Sequence, residues 1–192
     1  MLSFVHKIYI LYFMDINLIV KVTSRAWSLS ILAHMNKGVA GRQAPLLVAT
    51  GASRTAFAQS LHHLIELGLL ERNPGHGHPL RPEFRITEAG KALAEFAKRL
   101  DEIQLGSAPS ALLRRAWTVP VLAVCHQPRY FKDIKQNLPA VTDRALSQSL
   151  RNLQGESWIT REVDEQSGMA RPLYKVANQG LEISRAIGFT SM

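Results

Sequence analysis

The chain has 192 residues, a formal charge of +8 and a single cysteine. One cysteine excludes an internal disulfide framework and any Cys-x-x-Cys metal or redox pair. The basic excess is evenly shared, since residues 1–104 carry 12 Lys and Arg against 8 Asp and Glu, and residues 105–192 carry 11 against 7. Each part is therefore +4, a balance that suits a polyanionic partner in both.

Residues 1–20 include 15 apolar side chains, interrupted by Lys7, Asp15 and Asn17. The interruptions argue against a membrane-spanning helix, which needs about 20 predominantly apolar residues. A signal peptide is disfavoured too, because the apolar run Ile8–Met14 is short and no small-x-small site follows it. Two readings stay open for residues 1–22. They form an arm or helix that packs on a partner subunit, or Met14 is the true start and residues 1–13 are an artefact of start-site assignment.

A first domain is placed at 23–105. Arg25–Asn36 reads as its first helix, with Trp27, Ile31, Leu32 and Met35 toward the core and Gly38 closing it. Ala44–Ala49 reads as a short second helix and Thr50-Gly51-Ala52 as a turn. Ser53 then caps a third helix that turns Phe57, Leu61 and Leu64 inward and Thr55, Gln59 and His62 outward. Leu69–Arg72 and Glu83–Ile86 read as hairpin strands around a long wing that holds His76, His78 and Arg81. No Cys or acidic ligand stands near these histidines at a zinc-type spacing, so the wing reads as a phosphate contact and not as a metal site. Glu88–Ile103 is amphipathic, with Ala89, Leu93, Phe96, Ala97, Leu100 and Ile103 as a stripe, and Gly106–Ser110 reads as a linker.

A second domain, 106–192, follows the same plan. Ala111–His126 reads as one helix, with Pro120 a possible kink, and Tyr130–Gln136 as a short one. Thr142 is placed to cap the helix that follows, in which Leu146, Leu150 and Leu153 form the apolar stripe. Arg144, Ser147, Gln148 and Arg151 lie opposite, all with donors that suit phosphate oxygens and base edges. Lys132 and Lys135 on the preceding helix, and Arg171 at the start of the last strand, add positive charge nearby. Trp158–Val163 and Arg171–Val176 read as the hairpin, and Ala177–Ile187 as a final helix. A short helix, a reading helix and a hairpin in that order form a winged helix-turn-helix.

The two domains are copies. Arg25-Ala26-Trp27 matches Arg115-Ala116-Trp117 at an offset of 90. Gln59, Ser60, Leu61 and Leu64 match Gln148, Ser149, Leu150 and Leu153 at 89, and Arg81, Pro82, Phe84 and Gly90 match Arg171, Pro172, Tyr174 and Gly180 at 90. Three blocks in order at a nearly constant offset imply duplication. The expected class is mainly α with small β-hairpins (α+β), as two tandem winged helix-turn-helix domains.

Arg115–Leu122, Arg129–Ile134, Leu138–Thr142 and Leu146–Leu153 together resemble the HxlR-type winged helix-turn-helix regulators. The first domain looks like a more diverged member of the same group or of a MarR-like one. The resemblance implies a bacterial transcription regulator, and single-domain relatives of this kind are usually homodimers on palindromic operators. Two domains in one chain depart from that pattern. The N-terminal cysteine of redox-sensing relatives is also missing, which leaves thiol sensing without its residue. Cys125, aligned with Met35, reads as a small buried hydrophobe.

No Gly-rich phosphate loop, His-Glu-x-x-His or Gly-x-Ser-x-Gly is present, so no enzyme and no cofactor is expected. The reading is a sequence-specific regulator of transcription that binds double-stranded DNA, as a homodimer or an intrachain pseudo-dimer. It would sit in the cytoplasm on the nucleoid, away from any membrane. The alternative is a tandem winged-helix module for protein–protein contact, of the chromosome-organising type, without sequence-specific reading.

Overall fold

The computed structural model describes residues 15–76, 81–164 and 170–187. These divide into two compact units, one of Lys21–Gln104 and one of Leu105 onward together with residues 15–20. The tip of the first wing, with His78, and the loop between the strands of the second lie outside the described residues.

The first unit runs α1 (Ile16–Thr23, which straddles the division), α2 (Ser28–Asn36), α3 (Gln43–Thr50), α4 (Arg54–Glu66), β1 (Leu70–His76), β2 (Arg81–Ile86) and α5 (Glu88–Glu102). The second runs α6 (Ser107–Leu113), α7 (Thr118–Val124), β3 (Arg129–Tyr130), α8 (Phe131–Asn137), α9 (Asp143–Gly155), β4 (Ile159–Asp164), β5 (Arg171–Val176) and α10 (Asn178–Ala186). Helices dominate and the sheets are small antiparallel ones, so the architecture is the expected α+β tandem.

Duplication extends to element boundaries. α4 and α9 are both 13 residues long and start 89 apart, while β2 and β5 are both six residues long and start 90 apart. Apart from Phe96, whose counterpart is the half-buried Ala186, each core is built from the same positions. Ile31, Leu32, Phe57, Leu61, Leu64, Phe84, Leu93 and Phe96 are buried in the first unit. In the second, Val121, Leu122, Leu146, Leu150, Leu153, Tyr174 and Ile183 are buried. Complete burial of each such side chain contributes about 1.5–3 kcal/mol, which is why the polar faces of α4 and α9 can be left for other work.

Several boundaries differ from the sequence reading. The helix read as Arg25–Asn36 starts only at Ser28, and the one read as Ala111–His126 is interrupted after Leu113 and resumes at Thr118. Tight turns occupy 24–27 and 114–117, in which the Ser28 amide donates to the Arg25 carbonyl and the Thr118 amide to that of Arg115. The break occurs in both copies, so Pro120 does not cause it. Thr118 is the first residue of α7, and Pro120 falls in its first turn, where its missing N–H has no helical partner to lose. Residues 107–110, read as linker, join 111–113 to form α6. On α5 the buried stripe is Gly90, Leu93, Ala94, Phe96, Ala97 and Leu100, while Ala89 is exposed. The rotation follows from Gly90, where a Cβ would stand 2.3 Å from the Leu69 carbonyl oxygen.

The sheets differ between units. β4 and β5 pair without interruption from Ile159↔Val176 to Asp164↔Arg171, and β3 adds to the other edge of β5. β1 and β2 pair from Leu70↔Ile86 but shift register between Asn73 and His76. In place of β3 the first unit has the Phe84 amide donating to the Gly41 carbonyl at 2.5 Å.

After α4 the chain turns through Gly68 at φ 69°, and after α9 through Ser157 at φ 58°. A side chain in this left-handed region costs about 1–2 kcal/mol, and glycine avoids that cost at the expense of chain entropy. Ser157→Gly is therefore expected to raise stability by about 0.5–1 kcal/mol, and Gly68→Ala to lower it by about 1 kcal/mol. Urea unfolding of both variants tests this, and a loss of stability in Ser157→Gly would contradict it.

Candidate nucleic-acid interface

The strongest candidate site is the outer face of α9. Thr142 stands in extended backbone ahead of the helix and its Oγ1 accepts from the Ala145 amide at 3.2 Å. Such a cap fixes where the helix starts, and with it the rotation of every later side chain. With Leu146, Leu150 and Leu153 buried, Arg144, Gln148 and Arg151 are exposed and Ser147 is half-buried beside them. Arg151 donates from Nη2 to Gln148 Oε1 at 3.0 Å, and Gln148 Nε2 donates to Asn152 Oδ1 at 3.0 Å. The amide in the middle of the face is thus held from both sides.

Two cations flank this helix on α8. Lys132 is exposed, and Lys135 pairs with Asp143 in the first turn of α9. Both partners are accessible, and an exposed pair of this kind is worth about 0–1 kcal/mol, too little to hold Lys135 away from a phosphate. The hairpin is tied to the same region. Tyr130, the residue before α8, donates its hydroxyl to Asp164, and Asp164 lies opposite exposed Arg171 in the β4–β5 register. Arg171 is thereby carried on a strand anchored to the helix-turn-helix rather than on a loose loop.

In the first unit Ser53 Oγ caps α4 by accepting from the Ala56 amide at 3.3 Å. Thr55, Gln59 and His62 are exposed on the face that corresponds to Arg144, Gln148 and Arg151. His62 Nε2 lies 3.2 Å from Glu66. His63 turns away, its ring bonding the Lys21 carbonyl at 2.8 Å and Ser24 Oγ at 3.3 Å. Arg81 opens β2 opposite His76, and the side chains of both lie outside the described residues.

Sequence reasoning missed two cations here. Arg42 stands exposed immediately before α3, and Arg54 is the exposed first residue of α4. The repeat concealed Arg54, because its counterpart at an offset of 89 is Asp143. The signal that could have found both is position alone, since each sits at the start of a helix in the helix-turn-helix.

The repeat extends to the helices and hairpins that carry these faces, and it coincides with a repeated family match. Residues 22–107 and residues 112–190 each match the family described as HxlR-like helix-turn-helix. The chain belongs to that family. A curated relative, an uncharacterized HTH-type transcriptional regulator of Mycobacterium tuberculosis (strain CDC 1551 / Oshkosh), is 37% identical over 73 residues. That alignment covers 38% of this chain and 46% of the relative, so the HxlR-like chain spans about half the length of the curated protein it matches. Among solved structures it is similar to the reduced form of the transcriptional regulator YodB from B. subtilis, at 19% identity and a TM-score of 0.39, over 43% of this chain and 83% of that one. A MarR-family structure from Porphyromonas gingivalis W83 is similar at 16% identity and a TM-score of 0.38, over 45% of this chain and 88% of that one.

The HxlR-like chain carries its one cysteine out of reach of solvent. Cys125 follows α7 directly and is fully buried, and burial pushes its thiol up to about 12 despite the nearby Arg129 charge. The thiolate is the reactive form, so native protein at pH 8 is expected to resist alkylation until it unfolds. Mass spectrometry after iodoacetamide treatment, with and without urea, reads this directly, and rapid labelling of folded protein would contradict it. Among the described residues no helix is long and apolar enough to cross a membrane, and no cluster of His, Cys, Asp and Glu could hold a metal ion.

Proposed function

We propose that this chain regulates transcription by binding specific sites in double-stranded DNA, without enzymatic activity, in the bacterial cytoplasm on the nucleoid. In this reading α9 enters the major groove. Arg144, Ser147 and Gln148 meet base edges, Arg151, Lys132 and Lys135 meet phosphates, and Arg171 reaches the neighbouring backbone. On α4, Thr55, Gln59 and His62 take the corresponding places, with Ser53 and Arg81 at the flanks. The observation that carries the proposal is the capped α9 helix, whose buried leucine stripe leaves a face of donors with no carboxylate at its centre. Either a second copy of the chain or its own two units supply the paired helices that such sites need. Genomic footprinting of the tagged protein tests the proposal. Discrete occupied sites are expected, and uniform occupancy that follows only DNA abundance would overturn it.

A protein-contact role for the first unit has one observation in its favour. Val48 on α3 is 82% exposed, beside exposed Ala44 and Pro45, whereas α8 presents Lys132 and Gln136 outward. An apolar strip in that place suits a protein surface better than a phosphate backbone.

A further inference from the structure

The two reading helices are matched in length, capping and register, so their outward residues can be compared one for one. The sixth residue of each is glutamine, Gln59 and Gln148, and both are exposed. The second is Thr55 against Arg144, the fifth Ala58 against Ser147, and the ninth His62 against Arg151. The glutamines also differ in their surroundings. Gln148 is held between Arg151 and Asn152. In the first unit His62 lies against Glu66, a position that is Gly155 in the second, and His63, the counterpart of Asn152, bonds Lys21 and Ser24.

These differences bear on bases. Glutamine can pair with the N6 and N7 atoms of adenine, and arginine with O6 and N7 of guanine. Threonine at the arginine's place has no second donor for guanine, but its methyl group can meet the methyl of thymine. We infer that the two units read different sequences, so that one chain recognises a non-palindromic site with adenine read in both halves and guanine in only one. The guanine is read by Arg144, and the first unit replaces it with a thymine contact at Thr55. Exposed Arg42 and Arg54 supply the phosphate contacts that let the first unit engage DNA with its weaker reading face.

This inference rests on the DNA-binding reading above, and one experiment separates the two. The full chain, Thr55→Arg and Arg144→Thr are each used to enrich sites from a random double-stranded DNA pool. Both positions are exposed, and circular dichroism confirms that each variant is folded. The wild-type chain is expected to enrich two unlike halves that share adenine. Thr55→Arg should add guanine to the half that lacks it and favour that new site by about 5- to 150-fold over the wild-type site, and Arg144→Thr should erase guanine from the other half. Identical halves from the wild-type chain, or an unchanged preference in Thr55→Arg, would overturn the inference while leaving DNA reading intact. A motif with only one half would overturn it in favour of the protein-contact role of the first unit. No enriched motif at all would overturn both the inference and the proposed function.

Discussion

Gly180→Ala is expected to lower the stability of the second unit by about 3 kcal/mol, at the upper end of what overpacking costs. In an isolated helix the same change would add about 1 kcal/mol, because alanine is the better helix former. Here the sign reverses. A Cβ on Gly180, in the first turn of α10, would stand 2.0 Å from the Trp158 carbonyl oxygen, which is backbone and cannot swing aside. That oxygen also accepts from the Ala177 amide at 2.8 Å, and the Trp158 side chain is buried, so neither partner can retreat without disturbing the junction between β4, β5 and α10. Gly155 is the control. It ends α9 with nothing within 4 Å of its Cβ position, so Gly155→Ala should be neutral or stabilise by up to about 1 kcal/mol. Denaturant unfolding of both variants decides the matter, and equal stability of Gly180→Ala and wild type would show that α10 moves freely over the hairpin.

The helices that carry the site were legible because two independent signals coincide on them. Leu146, Leu150 and Leu153 keep helical spacing, and the same spacing returns 89 residues earlier in Phe57, Leu61 and Leu64. Thr142 and Ser53 could be placed as caps because a hydroxyl just ahead of a periodic run has few other roles. What was lost lacks any such period. The breaks at 24–27 and 114–117 contain neither glycine nor proline, and apolar residues continue through them, so a tight turn looked like more helix. β3 is two residues long, too short for alternation to register, and it exists because β5 offers it an edge. The first half of α6 reads as linker because of Gly106, Ser107, Pro109 and Ser110, although proline is well suited to the first turn of a helix. The hydrogen bonds that hold Gln148 are specified by rotamers, and no pattern of residue types gives those.

Replacing Gln148 with Ala is expected to weaken binding to the preferred site by about 1–3 kcal/mol and to relax preference at one base pair. Arg151→Ala should instead weaken all sequences alike and reduce the slope of log affinity against log salt by about one, as loss of one phosphate contact does. The two effects are coupled in this molecule. Arg151 Nη2 donates to Gln148 Oε1, so its removal also frees one end of the amide that reads the base. Arg151→Ala should therefore carry a small loss of specificity at the base read by Gln148, and the double variant should lose less than the two single losses combined. In the first unit Gln59→Ala should cost less than Gln148→Ala, because His62 lies against Glu66 and His63 turns back to Lys21 and Ser24, so neither orients the amide. Binding of all four variants to a panel of single-base site variants, at two salt concentrations, separates these outcomes. If neither Gln148→Ala nor Arg151→Ala changes affinity at either salt concentration, α9 does not read DNA, and protein contact becomes the function that its exposed face must serve.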